Sequence, residues 1–352
     1  FRIIFESGLL PIRPQKYKKY FTLFFAFPID FQLTNFYYVF EHHFGHHFLL
    51  SFKILQPLQA CYVDIVTHHF IMIKVLSTIA ETKEILRKLK EEGKSIGFVP
   101  TMGALHEGHV SLVKRAANEN EVVAVSIFVN PTQFNDKNDL KNYPRTPEKD
   151  LAMLETAGAH YVFMPTENEI YPEPDTRQFN FGMLDKVMEG KHRPGHFNGV
   201  AQVVSRLFDI VQPHRAYFGQ KDFQQLAIIR ALVHKFNYSI EIVGCPILRE
   251  ADGLAMSSRN MLLTPEKRAN APLISKTLFE ARNKMGEKTV EELINWVEIT
   301  INSNPHLEVE YFELSNAKTL EPVRDWSAAE QIVGCIAVRA GQVRLIDNVI
   351  FK

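Results

Sequence analysis

Along residues 72–352 the hydrophobic positions follow two alternating regimes. Short apolar runs at 96–99, 122–129, 161–164, 216–219 and 240–247 are separated by stretches in which apolar residues recur every three or four positions. An unbroken β-branched run such as 122–129 is what a strand buried on both faces of a parallel sheet requires, and the intervening stretches read as helices. Thr78-Ile-Ala-Glu81 has the form of a capping box and Gly93 that of a stop, so a first helix is expected between them. Further helices are expected from Glu107, over 147–156, over 200–211 and over 223–236. This rhythm predicts an α/β fold with a Rossmann-like, doubly wound parallel sheet.

From Thr264-Pro-Glu-Lys267 the pattern changes. Two amphipathic helices, 265–284 and 288–303, precede strand-like runs at 307–314, 331–339 and 343–349. A boundary near 246–250 therefore divides a nucleotide- and substrate-binding domain, 72–247, from a smaller α+β domain, 248–352, that would close as a lid.

Composition separates off residues 1–71, which hold 13 of the 27 phenylalanines and 6 of the 14 histidines but only two alanines. The segment has no sustained period, and the first methionine is Met72. The expectation is a translated upstream extension, with the working protein starting at Met72. A signal peptide fits less well: Lys16, Lys18 and Lys19 precede an apolar stretch, but no small-residue cleavage site follows. His42, His43, His46 and His47 are a weaker candidate metal site.

Charge is balanced, with 40 Lys+Arg against 40 Asp+Glu, which removes any global basic field for nucleic acid or anionic membrane. Three scattered cysteines, Cys61, Cys245 and Cys335, point to a reducing, cytoplasmic setting.

Candidate chemistry gathers at strand-to-helix junctions. Pro100-Thr-Met-Gly-Ala-Leu-His-Glu-Gly-His109 carries His106 and His109 at the start of a helix, where free backbone amides favour an anion. The pair is not the zinc-protease motif, which needs a histidine where Val110 stands, and Gly93-Lys-Ser95 is no P-loop, because it precedes a strand. Lys221 and Asp222 occupy a second junction, Asp222 as a plausible N-cap. Gly190-Lys-His-Arg-Pro-Gly-His-Phe-Asn-Gly199 reads as a solvated turn or a lid over an anion, and Met256-Ser-Ser-Arg259 pairs two hydroxyls with a fixed cation.

Together with Phe128-Val-Asn-Pro-Thr-Gln-Phe134, Gly219-Gln-Lys-Asp-Phe-Gln-Gln225 and Leu254-Ala-Met-Ser-Ser-Arg-Asn260, these motifs resemble, in order and spacing, the pantothenate synthetase (pantoate–β-alanine ligase) family over 72–352. That family belongs to the nucleotidyltransferase superfamily that also holds class I aminoacyl-tRNA synthetases. The resemblance implies two steps in one site. The pantoate carboxylate attacks the α-phosphorus of ATP to give pantoyl adenylate and pyrophosphate, and the β-alanine amine then attacks the acyl carbon and releases AMP.

The resemblance implies that His106 and His109 contact the phosphates, with His109 the proton donor, while Lys221, Ser257, Ser258 and Arg259 hold the triphosphate. The nucleotide would be framed by Met102, Gly103, Ala104, Leu105, Glu107 and Gly108, and by Gly219, Gln220, Leu248 and Met256, with Asp222 reaching the ribose. Gln133 and Gln225 would bind pantoate, and Arg193 and His196 would assist. Mg²⁺ is implied with ATP, but its protein ligand stays open. Lys149 stands where relatives often carry an acid, and Asp150 would be at most an outer-shell contact. Gln220 also replaces a common acid, so only its backbone is expected to matter. A homodimer is implied as well.

Two rival readings use the same residues. A tRNA synthetase would add a basic domain, whereas 72–352 carry 34 Lys+Arg against 36 Asp+Glu. A non-catalytic nucleotide-binding regulator would have no use for Gln133, Lys221, Gln225 and the Ser-Ser-Arg loop together.

Overall fold

The computed structural model describes residues 73–352 apart from Asp136. The N-terminal extension, its Met72 boundary and the His42–His47 group lie outside the described residues. Ile71–Lys352 form one compact unit.

The chain opens with β1 (Lys74–Leu76), α1 (Ile79–Glu91), β2 (Ile96–Thr101), α2 (Glu107–Glu119) and β3 (Val122–Ile127). It continues through α3 (Lys137–Asn142), α4 (Pro147–Ala157), β4 (Tyr161–Phe163), α5 (Glu167–Ile170), α6 (Met188–His192) and α7 (His196–Val211). β5 (Arg215–Gly219), α8 (Phe223–Lys235) and β6 (Glu241–Cys245) complete a six-stranded sheet in the order β1-β4-β3-β2-β5-β6, with every pairing parallel.

Strand pleating sends consecutive residues to opposite faces, which explains the unbroken apolar runs. Phe98 and Ala124 join a core with Leu86, Phe208 and Leu232, whereas Val99 and Val125 join one with Val113 and Leu154. From β2 the chain winds outward through β3 to β4, then returns to add β5 and β6 on the other side of β2. The direction of winding thus reverses between β2 and β5. At such a switch point the loops leaving the two strands diverge and open a crevice at their carboxyl ends.

The remainder comprises α9 (Pro265–Asn270), α10 (Leu273–Asn283), α11 (Val290–Asn302) and an antiparallel sheet of β7 (Glu308–Asn316), β8 (Ile332–Ala340) and β9 (Val343–Ile350). The doubly wound parallel sheet and the smaller α+β part are therefore as the periodicity predicted.

Three local expectations need correction, and one strand was not expected. The helix expected over 265–284 is two, because Pro272 has no N–H to continue the first. The expected loop at 190–199 narrows to a turn at 193–195, its flanks belonging to α6 and the first turn of α7. Thr78 accepts the Glu81 amide at 3.2 Å, but the Glu81 carboxylate turns to Lys74 and does not close the box. β1 is three residues long, too short for a periodicity to register. Among the described residues, no helix is long and apolar enough to cross a membrane.

Candidate active site

The loop leaving β2 is shaped by a buried carboxylate. Asp150, on α4 and 1 % exposed, accepts the amides of Ala104 and Leu105 at 2.9 and 2.8 Å and the Thr146 hydroxyl at 3.1 Å. These bonds hold Ala104 at φ 51°, a conformation that costs a side-chain-bearing residue energy. Asp150 is thus a structural tie for the histidine loop, with both oxygens engaged by the loop and its own helix start.

The tie delivers His106 to the N-cap of α2. Its Nδ1 accepts the Gly108 amide at 3.1 Å, and His109 Nδ1 accepts the His106 amide at 3.3 Å. A Cβ on Gly108 would lie 2.7 Å from the His106 ring, so this position has room only for glycine. A backbone N–H can only donate, so both Nδ1 atoms are bare and both ring protons sit on Nε2. Burial, with Lys221 nearby, holds His106 down to about 4. Burial, then His106 and Lys221, holds His109 down to about 3. Both imidazoles are neutral at pH 7, and His109 offers a hydrogen bond from Nε2 where the family resemblance implied a donated proton.

The loop leaving β5 supplies Lys221, whose ammonium makes no ion pair or hydrogen bond among the described residues. Its charge acts on both imidazoles, so the two loops of the switch point converge. Asp222 occupies the N-cap of α8 without a side-chain cap bond and is exposed, which leaves its carboxylate available. Gln220 is a correction: its N–H donates to the Cys245 carbonyl and its own carbonyl accepts from Asn348, each bond spent inside the protein. Gly219 ends β5 with open space beside it. Glu107 is exposed and contributes only its backbone at the helix start.

Residues 248–262 fold back on the same crevice. The Leu248 carbonyl takes the Met256 amide at 3.0 Å, and a Cβ on Gly108 would meet Met256 Cβ at 3.7 Å. Ser257 Oγ caps a short 3₁₀ helix by accepting the Arg259 amide at 3.3 Å, which leaves its proton to donate. Ser258 is buried, close enough to the Tyr143 hydroxyl to influence its ionisation. Arg259 pairs with Asp139 of α3 at 3.0 Å.

Gln133 ends a 3₁₀ turn after β3 and is clamped from three sides. Asn130, 1 % exposed, accepts the Tyr171 hydroxyl at 2.9 Å and donates through Nδ2 to Gln133 Oε1 and to the Gly199 carbonyl, both at 3.1 Å. His196 donates from Nδ1 to the Gln133 carbonyl at 2.8 Å, with Arg193 Nη1 3.3 Å from its Nε2. Burial and then Arg193 hold His196 down to about 4. With Gln133 Oε1 accepting from Asn130, its NH₂ donates to Met102 Sδ at 3.0 Å, the weak acceptor a substrate oxygen would replace. A Cβ on Gly199 would overlap the Thr132 carbonyl and lie 2.7 Å from the Gln133 amide, so α7 packs this closely only through glycine.

A cavity lies between this clamp and the small sheet, walled by Arg193, His196, Lys221, Gln225, Asp347 and Asn348. The Gln225 side chain makes no hydrogen bond among the described residues, in contrast to Gln224, which is spent on Glu189, Leu184 and Val187. Neither His106 nor His109 lines the cavity.

Asp150 as a loop tie and Asn130 as the anchor of Gln133 are roles that the sequence does not announce. Asn130-Pro131 after a strand is a visible turn signal, but its reach to Tyr171 and Gly199 is not.

Comparison with known proteins agrees with this geometry. The family described as Pantoate-beta-alanine ligase matches residues 74–350. A pantothenate synthetase of Bacteroides fragilis (strain YCH46) is 58 % identical over 280 residues, 80 % of this chain and 99 % of that protein. One from Acetivibrio thermocellus is 46 % identical over 282 residues, covering 80 % of this chain and all of its own. The crystal structure of pantothenate synthetase from Thermus thermophilus superposes with a TM-score of 0.73 at 43 % identity, covering 78 % of this chain and 98 % of its own. A pantoate-beta-alanine ligase from Francisella tularensis, solved in complex with beta-gamma ATP and β-alanine, gives 0.67 at 36 % identity, covering 79 % and 98 %. Fold, site and sequence together make this chain a member of the pantoate–β-alanine ligase family.

Proposed function

We propose that the chain condenses pantoate with β-alanine at the expense of ATP, through a pantoyl adenylate, releasing pyrophosphate and AMP. A carboxylate resists attack by an amine until one of its oxygens becomes a good leaving group, and adenylation supplies that. As pyrophosphate departs, negative charge gathers on it, so the protein's task is to position the reactants and offset that charge.

The observation that carries this reading is the meeting of two neutral Nε2–H donors with an unpaired ammonium at the β2/β5 switch point. His106 and His109 donate to phosphate oxygens, and Lys221 neutralises the charge that develops between α- and β-phosphorus. Ser257 and Ser258 add hydroxyl donors. Arg259 exchanges Asp139 for phosphate when nucleotide arrives, and Asp222 reaches the ribose. The Gln133 NH₂, released from Met102 Sδ, and the unengaged Gln225 amide bind pantoate. Arg193 gives the cavity the cation that a substrate carboxylate needs.

Mg²⁺ accompanies ATP and screens its phosphates. Among the described residues no three His, Cys, Asp or Glu side chains converge, so the protein would contribute few ligands of its own to an ion that arrived with ATP. In this reading 72–247 form the base of the site and 248–352 its cover.

Pantoate-dependent exchange of labelled pyrophosphate into ATP tests the reading. Exchange that requires pantoate and proceeds without β-alanine is expected. Folded protein that catalyses none would refute it, and exchange driven by an amino acid would favour a synthetase.

A further inference from the structure

Asn348 lies in β9, in the small sheet, and is 5 % exposed. Its Nδ2 donates to two consecutive carbonyls of the β5–α8 loop, those of Gln220 and Lys221, both at 2.9 Å. Carbonyls only accept, so the atom between them must be the amide nitrogen. Asn348 is itself held. Its backbone amide donates to Asp347 Oδ1 at 2.7 Å, and the Asp347 carboxylate grips both Nη atoms of Arg249, at 2.6 and 2.9 Å. On the other side of the loop, the Gln220 N–H is fixed to the Cys245 carbonyl at 2.8 Å.

This contact also sets the direction of two peptide planes. In a planar trans peptide the N–H points opposite to the C=O. With the Gln220 and Lys221 carbonyls drawn toward β9, the amides of Lys221 and Asp222 are turned away from it. The Lys221 amide has no hydrogen-bond partner among the described residues, whereas the Asp222 amide closes the turn over Gln220 and Lys221. An unpaired amide and an unpaired ammonium, both of Lys221, thus come from one short loop, whose setting depends on a side chain 127 positions further along the chain.

We propose that Asn348 is a positioning residue for adenylation, holding the Lys221 loop in the one setting that aims its ammonium and free amide at the nucleotide. The proposal rests on Lys221 acting on the phosphates, as proposed above. Asn348 acts through that loop, so its loss should affect ATP and not pantoate.

The test measures pyrophosphate exchange with ATP and pantoate varied separately, for Asn348→Ala, Asn348→Ser, Asn348→Asp, Lys221→Ala and the Asn348→Ala/Lys221→Ala pair. Two lost hydrogen bonds should lower kcat/KM for ATP roughly tenfold in Asn348→Ala, with pantoate KM within about twofold. Asn348→Ser keeps one donor and should fall between, whereas Asn348→Asp sets a carboxylate against two carbonyls and should lose most. In the Lys221→Ala background, Asn348→Ala should add little, because the group it positions is gone.

Melting temperatures identify any variant that fails to fold, and Asn348→Ser carries the test if Asn348→Asp does not fold. Unchanged ATP parameters in folded Asn348→Ala, pantoate KM rising in step with ATP KM, or fully additive losses in the double variant would each overturn the proposal. If Lys221→Ala alone leaves exchange intact, the Lys221 reading fails and takes this proposal with it. If Lys221→Ala is crippled while the Asn348 variants are not, the Asn348 role alone fails.

Discussion

The rings of His106 and His109 stand with centroids 4.1 Å apart, each with Nδ1 turned inward onto a backbone amide. Two imidazoles so close could not both be charged, and their shared use of Nδ1 leaves a matched pair of Nε2–H donors. Removing one donor from a site that stabilises developing charge costs about two to three orders of magnitude in rate. His109→Ala should therefore slow pyrophosphate exchange at least about a hundredfold through kcat. Near-parental exchange would remove His109 from the chemistry.

The same geometry fixes a pH dependence. His106, His109 and His196 have folded pKa values of about 4, about 3 and about 4, below their ordinary 6.5, so the unfolded chain binds more protons than the folded one as pH falls. Their contribution to stability is complete above about 6.5 and is lost progressively as pH falls toward the folded values. The melting temperature should decline between pH 7 and pH 5, and exchange by protein that is still folded should show no imidazole ionisation near 6.5. A rate titrating near that value would mean that one of these rings ionises in the working enzyme.

Asp150 should matter for stability and not for metal. In Asp150→Asn one buried oxygen that accepted an amide becomes an NH₂ facing it, and two charge-assisted bonds are lost. The cost should be about 3 kcal/mol in urea unfolding. The Mg²⁺ concentration giving half-maximal exchange should stay as in the parent. A shift in that concentration with unfolding unchanged would restore Asp150 as a metal contact.

Gly199 should control the pantoate clamp from outside it. Gly199→Ala pushes a methyl into the Thr132 carbonyl and separates α7 from the Gln133 turn, at a cost of about 1–3 kcal/mol. Pantoate KM should rise severalfold with ATP KM little changed, and Gln133→Ala should do the same more strongly. Equal effects on both substrates would show that Gln133 does not belong to the pantoate side.

The sheet and the motif loops were legible because their signals are local. A β-branched run such as 122–129 announces a buried strand, and glycines with histidines after a strand announce an anion-binding turn. Partnerships that cross the chain were not legible. Asp150 read as a helix acid with a metal-side option, yet its partners are the amides of Ala104 and Leu105, 46 and 45 positions away. Asn348 is one asparagine in an apolar strand, and only the fold brings it to Lys221. Asp222 occupied the expected cap position without making the cap, because helix-start statistics describe where an acid sits and not where its oxygens point.

The central claim is that the pantoate carboxylate is activated as an acyl adenylate. Pantoate labelled with ¹⁸O in its carboxylate, allowed to react with ATP and β-alanine, should pass one labelled oxygen to AMP, because the oxygen that attacked phosphorus leaves with it. AMP free of label, or label recovered in inorganic phosphate alongside ADP, would contradict the account.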